Sequence, residues 1–343
     1  GPESIALLGT GKITCEVFAS LGALARFGMG MRHCDGNTRQ CMATAAVAHK
    51  QSFGFDSPPF TYRDFEESDV LVFVGANPLI AHPIMWQRVR RNSRAPRIVV
   101  IDPRATETAV TPGVEHYAVL PKSDLALFYG LGRLFVSRGW VDRAFVDSHT
   151  TGFDTYREHV ASFGLERVVE ATGLPATRVE ELAETIHDGE RVSFWWTMGV
   201  NQGHQAVRTA QAIIDLALLT GNIGRPGTGP NSITGQCNAM GSRLFSNTAG
   251  LFCGRDFASA AHRAQVASTL GIDESLIPRE SGMAYDQILR AVDDGRVKGL
   301  WIVCTNPAHS WPDRDGVERV LRRAEFVVVQ DLFHDTATAR FAH

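Results

Sequence analysis

Several common chemistries are excluded by what this chain lacks. Its six cysteines, at 15, 34, 41, 237, 253 and 304, contain no C-x-x-C pair. Neither a zinc ribbon nor a self-contained iron–sulfur site can be built from such spacing, and no haem-attachment motif is visible. A disulfide framework is not expected either, because 343 residues at 44% hydrophobic supply an ample core. No apolar run approaches the roughly 20 residues of a membrane-spanning helix. No run of five or more basic residues occurs and the net charge is -3, so no nucleic-acid partner is indicated. The opening GPESIALLGT has no basic n-region, hence no cleavable signal, and both it and the ending TATARFAH read as cut ends of a fragment. The dinucleotide fingerprint is one glycine short in LGTGKIT at 8–14, and Lys12 lacks a full P-loop before it.

What is present is a regular alternation. Apolar runs at 4–8, 69–75, 96–102, 191–196, 298–304 and 324–331 read as buried strands. Helical patterns lie between them, near 13–27, from 82 to 92, at 205–221 and from 316 to 324. Continuous apolar strands separated by amphipathic helices predict an α/β fold with mainly parallel, doubly wound sheets covered on both faces. The length suggests two domains. Trp195 and Trp196 end a strand and are expected in the core. His33, His49, His204 and His309 have no i, i+4 partner with a supporting carboxylate, so they are read as hydrogen-bonded core or surface residues.

The chain also echoes itself. DVLVFVGANP at 69–78 resembles VKGLWIVCTNP at 297–307, each an apolar strand, two small residues and Asn-Pro. Each is followed by a helix and a strand ending in aspartate, and Asn77 to Asp102 and Asn306 to Asp331 are both 25 residues apart. A tight loop after a strand can turn backbone N–H groups toward a phosphate, and an acid at the next strand tip can accept from a ribose or base. Asn-Pro can equally be a plain turn and the aspartate a helix N-cap. Two copies at one spacing favour two nucleotide-binding loops, on two Rossmann-like lobes.

A lone cysteine at a loop-to-helix junction then acquires a use. Cys41 sits in GNTRQCMATA, residues 36–45. A soft thiolate suits a heavy redox metal whose remaining positions are filled by sulfurs of a cofactor, so one protein ligand suffices.

The stretch from GNTRQCMATA through DVLVFVGANPLIAHP, with IDPRATETA, PKSDLAL, WWTMGVNQ, LLTGNIGRPGTGPNSITGQCNAMGSR, CTNPAHSWPD and VVQDLFHDTATARFA, resembles molybdopterin oxidoreductases of the dimethyl-sulfoxide-reductase superfamily. It is most similar to bacterial assimilatory and periplasmic nitrate reductases, over essentially the whole chain. The resemblance implies molybdenum held by bis(molybdopterin guanine dinucleotide), lying between two lobes. Residues 36–230 are expected to form one lobe, and 1–35 with 231–343 a discontinuous second one. It further implies Cys41 as metal ligand, with Met42, Met198, Gln236 and Arg243 at the reacting centre. Gly75, Asn77, Pro78, His82, Asp102, Arg104, Thr106, Asp124, Gly199, Asn201 and Gln202 would bind cofactor, as would Thr305, Asn306, Gln330 and Asp331. A [4Fe–4S] module before the chain and a further domain after it are expected, together with an electron-donor protein or reductase subunit.

Met42 stands where the resembled formate dehydrogenases carry histidine, and methionine cannot move a proton. This favours oxygen-atom transfer from nitrate, whose planar oxyanion suits the donor fork of an arginine. Arg243 is also open to a surface ion pair or a pterin-phosphate contact. Two glycines in ITGQCNAMGSR, Gly235 and Gly241, predict an irregular loop there. Formate oxidation, a non-catalytic relative in a redox complex and a NAD-dependent dehydrogenase are the alternatives. Cytoplasmic location follows from the assimilatory resemblance, with export to the periplasm the other option. Two departures from the pattern are Cys237, where proline is common, and Lys122, where glycine is usual, ahead of Ser123 and Asp124.

Overall fold

The computed structural model describes residues 1–56 and 59–343. Its strands are β1 Ile5–Gly9, β2 His33–Gly36, β3 Val70–Val74, β4 Arg97–Ile101, β5 Val114–Tyr117, β6 Val192–Trp196, β7 Gly229–Ser232, β8 Gly299–Val303 and β9 Phe326–Gln330. The chain divides into two compact units, one of residues 1–40 and 236–343, the other of 41–235. The first holds a sheet in the order β2-β1-β8-β9 and the second a sheet in the order β5-β4-β3-β6-β7. Every pairing in both is parallel. Among the described residues no helix is long and apolar enough to cross a membrane.

All six strands expected from the apolar runs are found, within two residues of their expected bounds. The three that were not foreseen, β2, β5 and β7, are four-residue edge strands reading HCDG, VEHY and GPNS. A short polar edge carries no apolar run to reveal it, and Pro230 is tolerated because an edge strand need not donate on both sides.

Both faces of the second sheet are buried, as continuous apolar runs require, whereas the edge strand β9 of the first leaves Phe326 and Val328 exposed. In the first unit Ala6, Leu8, Leu300, Ile302 and Val327 pack on Ile288, Leu289, Val317 and Leu321. The opposite face sets Leu7 against Leu21, Ala25 and Cys34. In the second unit Leu71, Phe73, Val100 and Trp195 pack with Phe65, Trp86 and Val89, and Trp195 stacks on Phe65 at 3.9 Å between centroids. Trp196 is also fully buried and donates from Nε1 to Asn201 Oδ1 at 3.0 Å. Each such aromatic contributes about 2–3 kcal/mol by burial.

The helix expected near 13–27 is Cys15–Ala23 running into a wider π-turn, Leu24–Gly28. That turn carries Arg26, fully buried, whose guanidinium donates to the main-chain carbonyls of Arg32, Cys34, Ser246 and Thr248. A buried charge is tolerable only when so satisfied.

Sheet order creates one crevice per unit. In the first unit the connections β1→β2 and β8→β9 leave the adjacent pair β1/β8 in opposite directions; in the second, β3→β4 and β6→β7 leave β3/β6 likewise. Ligands of open parallel sheets bind at the carboxyl ends of strands where the order reverses in this way.

Candidate active site

In the second unit the crevice is built around a pair of glycines. Gly75, just past β3, has φ +53°, and a Cβ there would lie 2.7 Å from Gly199 Cα, just past β6. The same carbonyl of Gly75 accepts from Thr197 Oγ1 at 2.7 Å and from Gly199 N at 3.2 Å. Only two residues without side chains allow the two strand ends to meet so closely.

Cys41 lies in the helix Thr38–Phe53, which is broken at Met42 with φ −138° and ψ 24°. The break ends the first turn at the cysteine. Met42 is buried, whereas Cys41 is half-buried. Its Sγ is 3.6 Å from Met198 Sδ, which opens the short helix Met198–Asn201 after β6, and 3.0 Å from the Thr234 hydroxyl, just beyond β7. The Thr234 carbonyl accepts from His82 Nε2 at 2.9 Å. His82 Nδ1 is buried with no hydrogen-bond partner among the described residues. Sequence reasoning named Cys41, Met198 and His82 but missed Thr234, which no local motif marks.

The remaining residues expected in this unit separate into two kinds. Several are committed to the protein itself. Asn77 Oδ1 accepts from Thr108 N at 3.2 Å and Thr108 Oγ1 at 2.7 Å, while its Nδ2 donates to Glu107 at 2.7 Å. Pro78 supplies the first position of the short helix Pro78–Ala81, where its missing N–H costs nothing. Thr106 Oγ1 accepts from Ala109 N at 3.3 Å, and Asn201 holds both Trp196 and, through Nδ2, Ser232 at 3.3 Å. Others face outward. Arg104 and Gln202 are exposed. Asp102 closes a turn by accepting from Arg104 N at 2.8 Å. Asp124 opens the helix Asp124–Arg138; burial pushes its carboxyl above the usual range, its own N–H counteracts this, and the Asp102 charge adds to the rise. The two predicted nucleotide acids therefore come close enough to feel each other. Lys122 sits at φ +73°, the conformation that glycine would occupy at no steric cost.

The first unit repeats the loop. Asn306 Oδ1 accepts from Thr338 N at 3.0 Å and Thr338 Oγ1 at 2.7 Å, matching the Asn77–Thr108 clasp bond for bond. Cys304 N donates to Gln330 O at 2.8 Å as Gly75 N does to Ile101 O at 2.9 Å, and Cys304 shares the left-handed φ of +50°. Burial, then the nearby Asp331 charge, pushes its thiol up. Gln330 and Asp331 are exposed at the end of β9, and Thr305 is buried, accepting from Asn37 Nδ2 at 3.0 Å. Asn37 Oδ1 and Thr10 Oγ1, beside the β1 end, are buried without hydrogen-bond partners among the described residues.

The stretch 236–243 corrects one expectation. It is not irregular throughout: Asn238 caps a helix, Ala239–Leu244, by accepting from Gly241 N at 3.1 Å. The two glycines were misleading because a side-chain cap starts the helix. Arg243 is half-buried on that helix. Gln236 precedes it, its Oε1 accepting from Gly11 N at 2.8 Å in the turn after β1. The four discounted histidines lie in the core or at the surface: buried His49 donates from Nε2 to the Pro230 carbonyl, His33 bonds Glu3 at 2.9 Å, and His204 and His309 are exposed. Among the described residues no group of three or more His, Cys, Asp and Glu is placed to hold a metal ion.

Each unit is a parallel α/β sheet with a crevice at its strand ends, and the family model for molybdopterin oxidoreductases matches residues 1–343. The chain belongs to that family, whose members carry molybdenum with a molybdopterin cofactor. Among its relatives, the assimilatory nitrate reductase of Haloferax mediterranei is 39% identical over 332 residues, covering 97% of this chain and 45% of that protein. The nitrate reductase of a Synechocystis species is 33% identical, covering 100% and 48%, and the assimilatory nitrate reductase catalytic subunit of Bacillus subtilis 31%, covering 100% and 48%. The chain thus spans a little under half the length of these relatives. Acetylene hydratase from Pelobacter acetylenicus shares the fold, with a TM-score of 0.71 at 18% identity over 100% of this chain and 48% of that one.

The residues present fit such a group. The second unit offers the soft sulfur of half-buried Cys41 next to a thioether, with the buried, unpartnered Nδ1 of His82 one hydrogen-bonded residue away. The first offers two orphaned buried oxygens at its strand ends. Buried polar atoms without partners are rare, and a polar cofactor edge is one way to satisfy them.

Proposed function

We propose that this chain forms part of a nitrate reductase that converts nitrate to nitrite by oxygen-atom transfer at a bis(molybdopterin guanine dinucleotide) centre. The observation that carries the proposal is half-buried Cys41 near the strand ends, its sulfur 3.6 Å from the Met198 thioether. When bound, the cofactor supplies two-electron chemistry at molybdenum; the chain's own residues bind, position and exclude. Cys41 is the metal ligand. Met42 and Met198 wall the centre without a transferable proton, which suits oxygen transfer better than proton abstraction. Arg243 presents a planar fork of donors to nitrate, and Gln236, ahead of the same helix, holds the Gly11 turn. Gly75 and Gly199 let the cofactor approach main chain, and Asp102, Arg104, Thr106 and Asp124 serve one guanine nucleotide. Thr305, Asn306, Gln330 and Asp331 serve the other. The nitrate reductases among the relatives support the same substrate.

Electrons reach the centre from an electron-donor protein or reductase subunit through a [4Fe–4S] cluster outside this chain, in the cytoplasm. Two electrons and two protons per nitrate yield nitrite and water. The test is nitrite formation by the native polypeptide with reduced viologen as donor. Nitrite that disappears in Cys41→Ala is the expected outcome. A molybdenum-loaded protein that makes none, yet oxidises formate, would replace this reading by formate dehydrogenase chemistry.

A further inference from the structure

We propose that Thr234 is a positioning residue that donates a hydrogen bond to the Cys41 sulfur and thereby sets how strongly that sulfur donates to the metal. The inference rests on Cys41 being the molybdenum ligand. The hydroxyl lies 3.0 Å from Sγ, a distance at which either partner can donate to the other when the sulfur is a thiol. A metal-bound thiolate has no proton, so the direction is then settled: Thr234 donates.

Thr234 is held for this task from two sides. Ile233 N donates to Trp196 O at 3.0 Å, extending the β6–β7 ladder one residue past Ser232, so the chain enters Thr234 in a fixed direction. The Thr234 carbonyl is then gripped by His82 Nε2 at 2.9 Å. That bond places the proton of neutral His82 on Nε2 and leaves its buried Nδ1 as an acceptor. The helix break at Met42 fixes the other partner by ending the first turn at Cys41. The other neighbour of the sulfur, at 3.6 Å, is Met198 Sδ, which has no proton to give. Of these two neighbours among the described residues of the second unit, the hydroxyl is the one that can withdraw charge from the sulfur.

A donor to a metal-bound sulfur draws electron density away from the metal and favours its reduced form. Removing the hydroxyl makes the sulfur a stronger donor and lowers the midpoint potential. Valine has threonine's shape without its hydroxyl, so Thr234→Val isolates the bond, and Thr234→Ser keeps the bond with one methyl fewer.

The experiment is a redox titration of the native polypeptide, purified with its molybdenum, followed by the Mo(V) electron paramagnetic resonance signal. Thr234→Val should keep its metal content and shift the midpoint to lower potential with altered g-values, and Thr234→Ser should return both toward the parent. If valine at this position loses metal, Thr234→Ala against Thr234→Ser carries the same comparison. Parent-like midpoints and g-values in Thr234→Val or Thr234→Ala, or a serine variant shifted as far as they are, overturn the proposal while leaving Cys41 as ligand. A Mo(V) signal unchanged in Cys41→Ser would overturn the ligand assignment itself, and the role of Thr234 with it.

Discussion

Placing a methyl group between the two strand ends of the second unit should be costly in a way that can be partitioned. In Gly75→Ala the new Cβ meets Gly199 Cα at 2.7 Å, Gly199 C at 3.0 Å and Val200 N at 3.2 Å, all main chain and none able to swing aside. The residue must also remain at φ +53°. A left-handed alanine costs about 1–2 kcal/mol. Overpacking against backbone adds about 1–3 kcal/mol, and loosening the Thr197 hydroxyl's bond to the Gly75 carbonyl about 1 kcal/mol. The restricted unfolded chain returns about 0.5 kcal/mol, so a net loss of about 4 kcal/mol is expected. Gly199→Ala meets the same neighbours, with Gly75 Cα at 2.5 Å, but without the left-handed term, so about 2 kcal/mol is expected. Gly139→Ala, at φ +69° with nothing within 4 Å, measures the strain alone at about 1 kcal/mol. Urea unfolding of the three variants and of the 75/199 double variant is the assay. The strand ends need part only once, so the double variant should fall short of additivity by about 1 kcal/mol or more. A Gly75→Ala cost equal to that of Gly139→Ala, or full additivity, would refute the idea that close backbone approach makes both positions glycine.

Two further outcomes test the electrostatics and the backbone elsewhere. Asp215, on the helix Ala206–Leu219, has its carboxyl pushed up to about 7 by burial. The folded chain therefore holds a proton that the unfolded chain releases above about pH 4, and stability is lost as pH rises from there through about 7. The stability of Asp215→Asn relative to the parent should grow by on the order of 2–4 kcal/mol between pH 5 and pH 8, and parallel pH profiles in denaturant unfolding would contradict it. Lys122→Gly relieves a left-handed side chain at φ +73°. After glycine's own entropy cost it should stabilise by about 0.5–1 kcal/mol, and a lowered urea midpoint would show that Lys122 makes a contact worth more than its strain.

The repeated Asn-Pro loops show how far local pattern reaches. The equal spacing of Asn77–Asp102 and Asn306–Asp331 is visible in the sequence because each interval is one strand–helix–strand unit of fixed length. Its mechanical purpose was not visible. The asparagine of each loop clasps a threonine, Thr108 or Thr338, at separations of 31 and 32 residues, and that one-residue difference hides the correspondence. Similarly, the five central strands and the apolar edge strand β9 announced themselves by apolar runs, whereas the short edge strands β2, β5 and β7 did not, since they carry no such run and are defined by their neighbours. The helix Ala239–Leu244 was obscured by glycines because its start depends on a single side-chain cap.

Cys41 as a soft ligand, Met42 as a residue without a proton and the alternation of buried strands with amphipathic helices are properties of short segments. Burial periodicity and side-chain chemistry act over a few residues, so they can be read along the chain. That Gly75 backs onto Gly199, that Gln236 closes the turn at Gly11 and that Thr234 reaches the Cys41 sulfur depend on which strands lie side by side. Sheet order is chosen by the packing of each whole unit, so partners separated by more than a hundred residues meet only once that packing is complete.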